Sequence, residues 1–335
     1  MAIKICKKCG FILRTRPNLK DVEGVCSACI NHEKKKTIDF KTRQEWLTGY
    51  INENKTNEKY DCLVAVSGGK DSTTIVRKLF ENHGVKKILL VNITEEFTRT
   101  KAGVQNLNNI VEKFNCDLIT FRVNPMELNE SIKRGLIEDL NPLKWLEAQI
   151  YQIPIEIAKK YGIKLVFYGE NAEFEYGSSK ELEIFHPASS EDTRIIYLGA
   201  IYPYSAQSWL ASAREVGFID LNYYNEWQRQ GHLENYSQID SMGYSMGIWT
   251  KFVKFGFQRV SDMACRFVRD GELTLDQAKK LIKEQDYICD PASKYDFCNT
   301  IGITEDFFDK LVDKHANREL VVKDINGNWR RRDLI

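Results

Sequence analysis

From Tyr60 onward the chain alternates short aliphatic runs with longer amphipathic stretches. Leu63-Val64-Ala65-Val66 reads as a buried strand, and Ile75, Val76, Leu79 and Phe80 then recur at helical spacing, predicting a helix over 71–82 that lies on a sheet. The same rhythm predicts strands at 87–93, 118–123 and 165–168, with helices at 101–114, 125–140 and 142–161 between them. Strands that alternate with helices pair in parallel, since each crossover returns the chain to the same end of the sheet. The expected fold is a doubly wound α/β sheet, in which ligands sit beyond the carboxyl ends of the strands.

The flanks differ. Residues 1–40 are Lys-rich and short of aliphatics, and they hold four cysteines, which marks a small module in need of a staple. A helix is expected over 41–57, with Trp46, Leu47, Tyr50 and Ile51 on one face. Past residue 249 the pattern is helical, with helices expected at 257–270, at 274–286 behind the capping box Thr274-Leu275-Asp276-Gln277, and from Thr304 to near His315. A basic tail, Trp329-Arg330-Arg331-Arg332, follows. Three parts are thus expected: a cysteine module at 1–40, an α/β domain at 41–248 and a helical region at 249–335.

Chemistry gathers at the strand ends. The first strand runs straight into Ser67-Gly68-Gly69-Lys70-Asp71-Ser72 and a helix, so loop and helix-terminal amides converge as they do in an anion site. The Gly68-Gly69 pair would let an oxygen-rich group approach the main chain, while Ser67, Ser72 and Lys70 add donors for a polyphosphate. Asp71 suits such a site if Mg²⁺ bridges it to phosphate, or if it orients the loop. Val64 stands where a Walker A loop needs its first glycine, so the string is not that motif.

After the fourth strand comes Gly169-Glu170-Asn171-Ala172-Glu173-Phe174-Glu175-Tyr176-Gly177, either a solvated acidic loop or a group that binds Mg²⁺ or substrate. Arg259, Asp262, Arg266 and Arg269 recur at three- and four-residue intervals, as a salt-bridge ladder or an anion clamp would.

Cys6-x2-Cys9 and Cys26-x2-Cys29, sixteen residues apart, have the spacing of two zinc knuckles. A complete four-thiolate shell leaves no open position for water, so the zinc would be structural. The other five cysteines form no such pattern. The net charge of +1 and a pI of about 7.5 supply no bulk field for a polyanion, so a nucleic-acid footprint is not expected. Residues 1–9 hold no apolar run of signal-peptide length, and the longest aliphatic run, Ile88 to Val91, is far too short to span a bilayer; a cytoplasmic location with no membrane partner is the expectation.

The Ser67–Ser72 string resembles the signature loop of the ATP-pyrophosphatase superfamily, whose members cleave ATP between the α and β phosphates and pass AMP to a carbonyl oxygen. That likeness implies ATP and Mg²⁺. It would also place adenine contacts at the main chain of Asn92-Ile93-Thr94-Glu95-Glu96, where a helix-capping loop is the alternative.

Nearly the whole chain is similar to the N-acetyl sugar amidotransferases of the PseA/WbpG type. The likeness rests on the cysteine pairs with Gly24-Val25-Cys26-Ser27-Ala28-Cys29, the nucleotide loop, Gly169-Glu170-Asn171 with Glu175-Tyr176-Gly177, and Lys251-Phe252-Val253-Lys254-Phe255-Gly256-Phe257 through Arg269-Asp270-Gly271. It implies that the acetamido group of a nucleotide-linked or acidic sugar becomes an acetamidino group for a surface polysaccharide or flagellar glycan, with ammonia attacking the adenylated oxygen's carbon. Lys70, Asp71, Glu170 and Asn171 would then act in catalysis. Ser67 to Ser72, Asn92, Thr94 and Gly169 would hold the nucleotide, and Glu175, Tyr176, Lys251, Lys254, Arg259, Arg266 and Arg269 the sugar.

No nucleophile signature for glutamine hydrolysis surrounds Cys62, Cys116 or Cys265, which implies a separate glutaminase subunit as ammonia source. The rival reading is a tRNA-thiolating enzyme with an N-terminal zinc module, which commonly carries active-site cysteines that this core lacks. A zinc-ribbon adaptor on a dead nucleotide fold fits poorly with the intact loop.

Overall fold

The aliphatic runs pair into one five-stranded parallel sheet. A computed structural model of the chain describes residues 3–55 and 59–335. Its sheet strands are β3 (Cys62–Ala65), β4 (Ile88–Thr94), β5 (Asp117–Arg122), β6 (Leu165–Tyr168) and β7 (Arg194–Tyr197), in the order β5-β4-β3-β6-β7. Register is continuous, with Val64 opposite Leu90 and Phe167, and Phe167 opposite Ile196. The chain starts at the central strand and winds outward in both directions, leaving a crevice between β3 and β6 where the winding reverses.

Alternate residues of each strand enter different cores. Leu63, Leu89, Val91, Val166 and Ile195 join a buried cluster with residues of α5 (Pro125–Asp139), α6 (Lys144–Lys160), α13 (Pro291–Ile301) and α14 (Glu305–His315). Cys62, Val64, Leu90, Phe167 and Ile196 join a second one with α2 (Phe40–Asn54), α3 (Lys70–Asn82), α4 (Lys101–Phe114) and α8 (Ala206–Arg214). Both faces of the central strands are covered, so β3, the first half of β4 and β6 read as unbroken apolar runs. Each fully buried Leu, Ile or Val stabilises this arrangement by about 1.5–3 kcal/mol.

The helix expected at 101–114 and the strand at 165–168 lie where the pattern put them, and the remaining expected elements shift by a few residues at their ends. The last residues expected in the 41–57 helix, and the first two of the chain, lie outside the described residues. Thr100 caps α4 and Asn124 caps α5, each through its side chain. Periodicity missed β7, α8 and α13.

The cysteine module is a hairpin, β1 (Asp21–Val22) with β2 (Val25–Cys26), followed by α1 (Ser27–Lys35). The short α7 (Ala172–Glu175) follows β6. In the C-terminal part, α9 (Tyr244–Trp249) and α10 (Lys251–Phe255) lead to α11 (Arg259–Arg269) and α12 (Leu275–Gln285). The Thr274–Gln277 capping box is present. The basic tail is a strand, β9 (Trp329–Arg331), paired with β8 (Val321–Lys323), and Arg331 is buried. No helix among the described residues is long and apolar enough to cross a membrane.

Candidate functional site

The loop after β3 is held by its own serines. Ser67 N donates to Ser72 Oγ at 3.0 Å and Gly69 N to Ser67 Oγ at 3.3 Å, so both hydroxyls brace the turn. The two glycines have separate tasks. Gly68 has φ +90°, and a Cβ there would stand 2.6 Å from Gly103 O, so it lets the loop close against α4. Gly69 meets only Ser67 Oγ, at 3.3 Å, and lines a cavity of about 310 Å³. The N-terminus of α3, with its unpaired amides, opens at that point. Lys70 is buried, with Nζ 2.7 and 2.8 Å from the Asp71 carboxylate oxygens and 3.1 Å from Tyr204 Oη.

Three other walls complete the cavity. Val66, Val91 and Ile93 with Leu146 and Ile150 form an apolar slot at the strand ends. Opposite the loop, Glu170 pairs with Arg266 at 3.0 Å, and Arg266 also donates to Tyr204 Oη at 3.3 Å and faces the Tyr176 ring 5.1 Å away. Arg259, two turns earlier on α11, donates to Ser237 Oγ at 2.7 Å and to Tyr176 Oη at 3.3 Å, and is paired to Glu234 at 3.4 Å. The third wall is the segment 236–244, tied to the β4–α4 connection by Thr100 N donating to Asp240 O at 3.2 Å and Met242 N to Thr98 O at 3.0 Å.

Glu95 and Asp240 face this cavity. Burial raises the pKa of each carboxyl, and the charge of Asp240 raises Glu95 further. Glu95 Oε1 is buried with no hydrogen-bond partner. Tyr204, Tyr236, Gln238 and Tyr244 also line the space, and burial lifts the Tyr204 and Tyr244 phenols well above their ordinary range. These residues lie in a stretch without periodicity, so no sequence signal pointed to them. The exception is Glu95, which sits in the strand-end segment already singled out.

Several expected site residues face elsewhere. Asn171 caps α7, accepting from Phe174 N at 3.2 Å and donating to Glu183 O at 3.2 Å. Glu175 is buried against Lys35 of α1, 2.9 Å away, behind the cavity. Asn92 donates to Val66 O at 2.8 Å, Thr94 accepts from Arg99 at 3.1 Å, and Gly169 O accepts from Gly199 N at 3.0 Å; these brace the strand ends and do not line the cavity. Arg269 turns to the cysteines, its guanidinium 4.0 Å from Cys9 Sγ. The regular spacing on α11 therefore serves two destinations.

Lys251 and Lys254 line a neighbouring cavity of about 490 Å³, which shares Tyr176, Gln238, Tyr244 and Arg259 with the first. Lys254 Nζ is already bound to Asp139 O at 2.5 Å, at the end of α5. The Lys251 side chain makes no hydrogen bond or ion pair with a described residue.

Cys6, Cys9, Cys26 and Cys29 are all buried, with their sulfurs within 4.8 Å of one another, Cys6 to Cys29 at 3.8 Å and Cys9 to Cys26 at 3.7 Å. Tetrahedral Zn–S bonds of about 2.3 Å require sulfurs about 3.8 Å apart, so the quartet fits zinc. Among the described residues it is the only group of three or more such side chains close enough to share an ion.

Residues 230–332 match the family model described as LPS biosynthesis protein WbpG-like, C-terminal domain. The match spans the C-terminal third of this chain. The WbpG-like segment thus contributes Tyr236, Ser237, Gln238, Asp240, Tyr244, Arg259 and Arg266 to a cavity whose floor is the loop after β3. The chain is also 23% identical over 282 residues, 83% of its length and 93% of the relative's, to an uncharacterized protein of Methanocaldococcus jannaschii. Among solved structures it is similar to an NH₃-dependent NAD synthetase of Campylobacter jejuni, with 17% identity, 56% of this chain and 78% of that one covered, and a TM-score of 0.37.

Proposed function

We propose that this chain is an ATP-dependent, AMP-forming amidotransferase that converts the acetamido group of an N-acetyl sugar into an acetamidino group, in the making of lipopolysaccharide or a related surface glycan. The observation that carries the reading is the convergence of the Ser67–Ser72 loop and two arginines of the WbpG-like segment on one cavity.

In this reading the polyphosphate lies on Gly69 and the N-terminus of α3, with Lys70 held ready by Asp71 and Tyr204, and the base lies in the slot of Val66, Val91 and Ile93. The acetamido oxygen bonds to the α-phosphorus and pyrophosphate leaves. Ammonia then adds to the imidate carbon, one proton is lost and AMP departs. Arg266 and Arg259 stand where negative charge develops, already oriented by Glu170, Tyr176 and Ser237. A carboxyl raised by burial is a competent acceptor for the ammonium proton, and Glu95 and Asp240 supply two.

The hard oxygen donors of Asp71 and Glu170 suit Mg²⁺, which when bound would neutralise phosphate charge. A separate glutaminase subunit supplies the ammonia.

The test uses purified chain with ATP, Mg²⁺, ammonium and a panel of N-acetyl sugars. AMP and pyrophosphate should appear with a product about one mass unit lighter and cationic at neutral pH. Asp71→Ala should stay folded and form no AMP. Release of ADP and phosphate, or sulfur transfer to unmodified tRNA with every sugar inert, refutes the reading.

A further inference from the structure

The cysteine module touches the cavity walls from two sides. On the first, α1 lies on α7. Ser27 Oγ donates to Gly177 O at 2.6 Å, and Asn31 Nδ2 donates to Phe174 O at 2.8 Å and Ser179 O at 2.7 Å. The fit is close enough that a Cβ on Gly177, at φ +83°, would stand 2.5 Å from Ala28 N. This segment carries Tyr176, whose ring forms part of both cavities.

On the second side the module packs against α11 and α12. The Phe11 and Phe257 rings are 4.8 Å apart, a Cβ on Gly256 would stand 3.0 Å from Ile12, and the four cysteines share one apolar cluster with Val260, Ala264, Cys265, Ala278 and Ile282. Arg16 spans the two sides, stacked over the rings of Phe11, Tyr176 and Phe257 and paired with Asp262 of α11.

One helix therefore serves both centres. Arg259 and Arg266 reach the cavity, while Arg269, three residues beyond Arg266, reaches Cys9 and has no carboxylate partner among the described residues. Four thiolates around a divalent ion leave two negative charges in a site whose cysteines are at most 2% exposed. Buried charge is costly unless an opposite charge meets it.

We propose that Arg269 is a positioning residue that couples the metal centre to the cavity. Its guanidinium compensates the metal-loaded thiolates, and this contact fixes α11 in the setting that presents Arg259 and Arg266. Metal occupancy and cavity geometry are then linked, so loosening either loosens the other.

The test compares full-length wild type, Arg269→Met, which keeps the bulk and loses the charge, and Arg269→Lys, which keeps the charge. Zinc release to a chelating dye and amide hydrogen exchange over 172–177 and 259–270 are read on each. Arg269→Met should release zinc about tenfold faster or more and exchange faster in both segments, with Arg269→Lys falling back toward wild type. Wild type stripped of metal should show the same faster exchange, reversed by added zinc.

The proposal is overturned if purified chain holds no zinc, if Met and Lys variants are equally impaired, if Arg269→Met matches wild type, or if metal-free wild type keeps its protection. Should Arg269→Met not fold, the metal-stripped wild type and Arg269→Lys decide. No readout involves ATP or a sugar, so the outcome is independent of the proposed reaction.

Discussion

Replacing Lys35 by methionine strands a buried carboxylate. Lys35 and Glu175 side chains are each 9% exposed, and Nζ lies 2.9 and 3.1 Å from the two carboxylate oxygens and 3.0 Å from Tyr204 O. Methionine has a similar volume and no donor, so the cavity term is small and the lost pairing dominates. Removing one member of a buried pair costs about 3–5 kcal/mol, because the remaining charge stays desolvated.

Glu175→Gln, which keeps the shape, should cost about 1–3 kcal/mol. The double variant Lys35→Met/Glu175→Gln removes both charges and should recover much of the loss, with a coupling of about 2–3 kcal/mol. Urea unfolding followed by circular dichroism measures all four corners of the cycle. Effects that add to within about 0.5 kcal/mol would show that the two groups do not act as a unit. The double variant should also bind an ATP analogue as wild type does, since neither side chain lines the cavity.

Gly68→Ala should destabilise the fold by about 2 kcal/mol or more, from the left-handed φ and the approach to Gly103 O, whereas Gly69→Val should leave the unfolding midpoint nearly unchanged and abolish AMP formation; the opposite assignment would refute the loop geometry. Cys26→Ser should remove zinc from the purified chain and lower its unfolding midpoint, as metal analysis and thermal melts would report. Burial raises the Asp286 carboxyl to about 6 despite hydrogen bonds from Ser261. The folded chain therefore holds that proton more tightly than the unfolded chain, and this contribution to stability is present in full below about pH 4 and lost as pH rises through 6. Asp286→Asn should gain on wild type by about 2 kcal/mol between pH 4 and pH 7, and urea midpoints that keep a constant difference would contradict this.

What the sequence determines by itself is local. Aliphatic runs bounded by amphipathic stretches are a property of neighbouring residues, and they located four of the five sheet strands, the helices between them and the Thr274 capping box. The fifth strand, Arg194-Ile195-Ile196-Tyr197, is four residues with no periodic helix before it, and its pairing with β6 exists only in the folded sheet. The cysteine spacing was likewise readable, because tetrahedral ligation constrains residues close in the chain.

Direction belonged to the tertiary structure. Gly68 and Gly69 are the same letter, yet one turns to α4 and the other to the cavity. Glu170 meets Arg266 at the site while Glu175, a turn later, meets Lys35 behind it. Arg266 and Arg269 sit on one helix and serve different centres. Periodicity reports which residues share a face, but what that face meets is set by chain segments up to hundreds of residues away, and only their packing brings Asp240, Arg259 and Arg266 to the loop after β3.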